Sequence, residues 1–276
     1  MEYHEAGPRD SDKGILLQPP PNPKGGRTLI VDGNDPSAYG TPSAALNDAQ
    51  DNDQVFIRPG IYEDKIFVSA RPVLLVGAGR DHVTVFCRRG GPFYLQRVPG
   101  GLVSGLTFRY VGSDQHSAMN ILDSNVTITQ CRAIDGILSG VVMYGPECRP
   151  SFHGNEVCGN RESGIFVFAG AQPRVAHNLC TGNHHFGIAV RDPGSHPEVV
   201  RNRCRDNMMS GMLLFHHAEA LLLENDCREN REWGIVMTPD CKPVPGRDEL
   251  ASSNILAPNP RGALHVTEQP LSEIGR

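Results

Sequence analysis

The sequence predicts an all-β chain wound as a parallel solenoid, in coils of 23–24 residues with a short helix at the N-terminal end. Three observations carry this expectation: a phrase that repeats, strict alternation around it, and a composition rich in turn formers. The phrase reads "NEVCGNRESGI" from Asn155, "NLCTGNHHFGI" from Asn178, "NRCRDNMMSGM" from Asn202 and "NDCRENREWGI" from Asn225. Counting back 24 residues reaches Cys131, and counting forward past an insertion reaches Asn254. After each repeat glycine (Gly140, Gly164, Gly187, Gly211, Gly234) comes a short apolar strand, and a second precedes each asparagine, as in "SFHG" and "RVAH". Two or three strands in 23 residues leave no room for a crossover helix. With 30 glycines, 22 prolines and only 6% aromatics, the composition suits many short strands joined by turns.

The elements follow in chain order. Residues 1–27, with "LQPPPNPKGG", are expected to form a flexible tail or an extended strap. Residues 28–70 read as the N-terminal cap. Within it "TLIVDGND" is a strand, "TPSAALNDAQ" a short helix opened by Thr41 or Ser43, and "DQVFIRPGIYEDKIFV" two strands about a Pro-Gly turn. Residues 71–266 are the coils, interrupted by an insertion at about 241–253, and residues 267–276 are an exit tail. Counting the cap, about seven or eight coils are expected. Each Asn is expected at a left-handed or bridging corner, bonded to its counterpart one coil away. The repeat glycine is expected to permit a tight turn before the next strand.

Alternation separates the lumen from the outside. Val141, Ile165, Ile188, Met212 and Ile235, with Met143, Val167, Val190, Leu214 and Met237, should point inward. Val142, Phe166, Ala189, Leu213 and Val236, with Tyr144, Phe168, Arg191, Phe215 and Thr238, should then point outward. An outward row this apolar needs a cover or a partner. The strap or the 242–253 insertion could cover it. Otherwise Tyr144, Phe166, Phe168, Arg191, Phe215 and His217 are ligand-binding candidates, an aromatic groove with a cationic anchor suited to a sugar or a peptide.

The loops that rim this face place Asp192, His216, His217 and Asp240 on adjacent coils. Carboxylates beside a histidine could perform acid-base chemistry, so Arg191, Asp192, His216 and Asp240 are the catalytic candidates. Solvated turns account for the same residues. His184-His185 align with Met208-Met209 one coil on, which supplies no hard-metal ligand, and no metal site is expected. Cys180, Cys204 and Cys227 stack inward two residues after each Asn. Because Val157 takes that slot in the preceding coil, they are read as a buried free-thiol ladder. Cys158 falls one place later and should face elsewhere.

"SAALNDAQDNDQVFIRPGIYEDKIFVSARPVLLVGAGRDHVTV" followed by "N..C..N...GI.V" repeats resembles the right-handed parallel β-helix (pectin-lyase-like) superfamily, over roughly residues 28–266. The short regular coils are similar to the CASH-type modules of F-box-only ubiquitin-ligase adaptors and of the protein that matures nitrous-oxide reductase. The resemblance implies a single-stranded right-handed β-helix. It implies activity weakly, because the superfamily joins lyases, hydrolases, epimerases and plain binding modules. No F-box precedes the coils, so an adaptor role does not carry over. Superfamily lyases hold Ca²⁺ with carboxylates and use Arg as base, and superfamily hydrolases use clusters of Asp; neither signature is matched beyond those residue types. The preferred expectation is a non-catalytic module that presents its aromatic face to a protein or glycan. The alternative is a carbohydrate-active enzyme, a lyase, hydrolase or epimerase, in the same groove. No cofactor is expected, and Ca²⁺ enters only under the lyase alternative.

A net charge of −5 argues against nucleic acid or an anionic membrane as main partner. The polar "MEYHEAGPRDSDKG" start lacks the features of a secretory signal, so a cytoplasmic monomer or weak homo-oligomer is expected.

Overall fold

The computed structural model describes residues 15, 16 and 18–268, and in these residues the chain winds as a right-handed parallel β-helix. Three sheets run along it. Sheet I has ten strands from Thr28–Val31 to Lys242–Val244, sheet II has seven from Gly60–Glu63 to Arg203–Arg205, and sheet III has nine from Ile66–Ser69 to Gly262–Val266. Every pairing is parallel, and one coil visits the sheets in that order: Ser151–His153, Glu156–Cys158, Ile165–Phe168. The nine strands of sheet III exceed the seven or eight coils expected. The first coils lack the asparagine phrase; the corner held elsewhere by Asn is Gly105-Leu106 between Gly101–Ser104 and Thr107–Tyr110, so nothing in the sequence announces the period there.

The asparagines do what a buried amide must. Asn155, Asn178, Asn202, Asn225 and Asn254 form one ladder, each at most 5% exposed. In a typical rung, Asn202 Oδ1 accepts from the backbone N–H of Asn178 at 3.0 Å and from its Nδ2 at 3.0 Å. Asn202 Nδ2 in turn donates to Val175 O at 2.8 Å and to Asn225 Oδ1 at 3.1 Å. A second ladder, Asn160, Asn183, Asn207, Asn230 and Asn259, repeats the pattern at the next corner. Cys131 and Gly136 close the two ladders with backbone N–H donors at 2.9 Å.

Two local expectations are corrected. The left-handed residue is not the Asn but its predecessor: Gly154 (φ 66), His177 (φ 55), Arg201 (φ 55) and Glu224 (φ 54). The Asn, outside the left-handed region, aims its amide along the stack, and the residue before it makes the bend. The repeat glycines need no positive φ either. A Cβ on Gly187 would lie 2.7 Å from Cys204 Cβ and 2.8 Å from Gly211 O, so glycine is required by the close approach of neighbouring coils.

The lumen holds the residues that alternation assigned to it, from Val141 to Met237, all fully or almost fully buried. Cys180, Cys204 and Cys227 stack among them at 0% exposure, whereas Cys158 is half-buried on the outer side of its strand. Glycines behind Cys204 and Cys227 leave room for sulfur and little more. Helix α1 (Pro42–Asp48) closes the N-terminal end with Ala45 and Leu46, and the Thr41 hydroxyl caps it by accepting from the Ala44 N–H at 3.3 Å. At the other end helix α2 (Leu250–Ser253) seats Leu250 in the core.

Replacing Asn202 by Ala strands donors and acceptors on two neighbouring coils. The expected cost is on the order of 1–3 kcal/mol, read from denaturant unfolding; an unchanged midpoint would contradict the ladder's energetic role. Desolvation pushes the Cys131 thiol up to about 12 and raises Cys204 strongly. Both, and the equally buried Cys180 and Cys227, are expected to resist a thiol reagent until the protein unfolds; labelling of any of these four in the native protein would refute this.

Candidate functional site

Sheet III carries the aromatic residues on its outer surface. The outward row is real: Phe166, Phe168, Ala189, Leu213 and Phe215 are absent from the luminal cluster, and most form a second apolar cluster of their own. Outward does not mean bare, however. Ala189, Leu213 and Val236 are 3% exposed and Phe215 is 6% exposed. Residues 1–14 and 17 of the expected strap lie outside the described residues; among the described residues, neither the rest of the strap nor the insertion covers this row. Ile15 packs against the luminal core, Leu16 donates its N–H to Ala78 O at 2.8 Å, and Gln54 donates to Pro20 O at 2.9 Å, which keeps these residues at the N-terminal end. The insertion adds Lys242–Val244 to sheet I and then turns inward through Leu250. The cover comes from the coils themselves, through Phe186 and Met209 in the loop just before the strand and Trp233 at the start of its own strand. Sequence reading missed these because that loop column mixes Ser163, Phe186, Ser210 and Trp233, with no alternation to follow.

What stays open is the part around Arg191. Its guanidinium lies 5.2 Å from the Phe166 ring centre, 5.1 Å from Phe168 and 5.9 Å from Phe215. Tyr144 stacks on Phe168 at 5.2 Å with ring planes 2° apart, and the planes of Phe166 and Phe215 are nearly parallel, with ring centres 6.3 Å apart. Tyr144, Phe166, Phe168 and Arg191 are all partly exposed. Asp192 carries the counter-charge, at 3.2 Å from Arg191 Nε. Beside the rings lies a shallow groove of about 200 Å³, lined by Ser139, Glu162, Phe166, His185, Phe186 and Phe215 among others.

The proposed acid-base residues do not converge as one group. His216 Nδ1 lies 3.9 Å from Asp192, and His217 Nδ1 lies 3.3 Å from Asp240, giving two pairs on successive coils. Both aspartates hold turns: Asp192 accepts from the Ala169 N–H at 3.2 Å, and Asp240 from the His217 N–H at 3.0 Å and from the Thr238 hydroxyl. The Thr238 hydrogen bond is the main reason the Asp240 carboxyl is held below its usual range. Among the described residues no group of three or more His, Cys, Asp and Glu is arranged to hold a metal.

The group within the groove that sequence reading passed over is Glu162. It is half-buried, and burial, opposed only by His185 on the next coil, raises its carboxyl pKa. No hydrogen bond or ion pair engages that carboxyl among the described residues. His185, set aside in the sequence for its Met209 neighbour, lines the same groove.

The family described as "Right handed beta helix region" matches residues 98–242, more than half of the chain, and the chain belongs to that family. No curated protein matches it. Solved structures of the same fold include the pectate lyase Pel9A (14% identity, 74% of this chain and 54% of that one, TM-score 0.47). The catalytic domain of a GH87 α-1,3-glucanase, its D1045A variant with nigerose, reaches a TM-score of 0.50 at 13% identity over 81% of this chain and 46% of that one. The A-module of the Azotobacter vinelandii mannuronan C-5 epimerase AlgE6 covers 83% and 94%, at 14% identity and a TM-score of 0.45. This chain spans about half the length of the lyase and the glucanase. At such identities the likeness is one of fold.

Since Phe215 is nearly sealed, its truncation tests the cluster more than any ligand. Phe215→Ala is expected to lower stability by on the order of 2–4 kcal/mol, measured by chemical unfolding; a neutral effect would mean the outer cluster is not packed.

Proposed function

We propose that this protein is a binding module whose partly open aromatic strip on sheet III takes a glycan. The observation that carries the reading is the set of rings around Arg191, with Tyr144 and Phe168 stacked in parallel planes and Phe166 tilted beside them. Flat aromatic faces receive the C–H faces of a sugar ring, and a guanidinium with spare donors fixes its hydroxyls. A strip laid along the coil axis suits a linear oligosaccharide better than a compact ligand. A protein partner would use the same rings. It is the less favoured reading because the open part of the strip is narrow and rimmed by charged pairs on the following loops.

A carbohydrate-active enzyme in the same groove is the second reading. The observation in its favour is Glu162, a carboxyl with a raised pKa against an aromatic wall, a setting that suits a proton donor. Release of new reducing ends or unsaturated products from a polysaccharide panel would establish it. For the binding reading, titration with the oligosaccharides found on a glycan array is the test. Phe168→Ala is expected to weaken binding by about 1–3 kcal/mol without changing the unfolding midpoint. Equal affinity of parent and variant for every retained glycan would exclude the strip as the site.

A further inference from the structure

The groove beside the rings has an electrostatic demand of its own. Glu162 lies on the loop before Ile165–Phe168, with Phe166, Phe186 and Phe215 around the space it faces. The charged groups nearby are already accounted for. Arg191 is paired with Asp192, Asp192 also receives His216, and the other histidine of the rim, His217, pairs with Asp240. His185 is the one cationisable side chain that acts on Glu162, and it forms no ion pair with it. A half-buried carboxylate with no partner is a cost to the empty protein, because burial has removed water and supplied nothing instead. Aromatic faces around a carboxylate make the setting that receives an ammonium group, since the rings turn their negative faces to it and the carboxylate supplies the counter-charge. The face already displays this preference internally, where three of its rings hold the Arg191 guanidinium.

We propose that the groove beside Phe166 is a subsite for a primary ammonium group, so that the module recognises a glycan containing a free amino sugar, with Glu162 as the specificity-determining residue. This inference rests on the glycan-binding reading and names the class of sugar within it. The ammonium would pair with the Glu162 carboxylate while the sugar ring lies across Phe166, and a neutral sugar or an N-acetylated one would leave the carboxylate as unpaired as it is in the free protein.

The probes are three hexasaccharides, of glucosamine, N-acetylglucosamine and glucose, titrated calorimetrically against the whole chain. The glucosamine hexamer is expected to bind at least tenfold more tightly than the other two. Glu162→Gln should remove that advantage and leave the weaker two unchanged. Its unfolding midpoint should be equal to the parent's or higher, because a desolvated charge has been removed. His185→Gln, which removes the one competing cation, should keep the advantage or enlarge it. Phe168→Ala should weaken all three probes together. If Glu162→Gln leaves the preference for the glucosamine hexamer intact, or if the parent has no such preference, the ammonium subsite is wrong while the glycan strip stands. If none of the three binds, or if an oligolysine peptide alone binds with the same dependence on Glu162, the glycan assignment falls and the amino-sugar subsite falls with it.

Discussion

A buried asparagine amide can be kept in a coiled chain only if each of its hydrogen-bonding groups meets another coil. The architecture follows from that requirement. Asn202 alone offers Oδ1 to two donors on the coil before it and gives Nδ2 to acceptors on the coils on either side. An amide left out of such a network in the core would cost about 1–3 kcal/mol, so a coil of different length is tolerated only where its extra residues return both corners to register. The insertion near the C-terminal end obeys the same condition: Asn225 and Asn254 are 29 residues apart in the chain and still bond at 2.9 Å. Lys242–Val244 takes the ordinary place of a strand in sheet I, and the extra residues follow it, in a turn of 3-10 helix (Arg247–Glu249) and helix α2, which leave the corner in register.

Fixing the corners also fixes the parity of every strand between them. Once Asn155 and Asn160 are held, Val157 must face the lumen, and so must Cys180, Cys204 and Cys227 in the same column. Gly187 then has to lack a side chain because Cys204 fills the space behind it. The thiols are thus small apolar fillers opposite glycines, at positions where a larger side chain would force adjacent coils apart. The outer aromatic row on sheet III is the other consequence of the same parity. It was legible from alternation alone, because the strand period of two assigns each residue to a face without knowledge of its neighbours.

Less of the site was legible, for a physical reason. Period-two alternation describes strands, and the residues that decide how open the outer row is lie on loops, where no periodicity links sequence to direction. Phe186 and Met209 pack with Leu213 and Val236 from such loops, and Trp233 joins them from the first position of its strand. Glu162 and His185 come from the same stretch. The row, expected to need a cover or a partner, is thus sealed at Phe215 by neighbouring coils and partly open at Phe166 and Phe168. The coil count fell short for a related reason. The first coils are held together by sheet pairing and the luminal packing of Phe93 on Phe108 at 4.4 Å, without the amide phrase that marks later ones.

In a repeat protein the informative columns are those in which the residue type refuses to repeat. A column that must build the coil is uniform, as in the two Asn ladders and the glycines behind the thiols, because every rung faces the same constraint. The column of Tyr144, Phe168, Arg191, Phe215 and Thr238 is not uniform, nor is that of Leu138, Glu162, His185, Met209 and Glu232. No packing requirement of the solenoid asks for a guanidinium between two rings or for an unpaired carboxylate one coil below a histidine. Both columns border the same open strip of sheet III. Arg191 is neutralised by its chain neighbour Asp192, whereas among the described residues no ion pair engages Glu162, so the two departures are not equivalent.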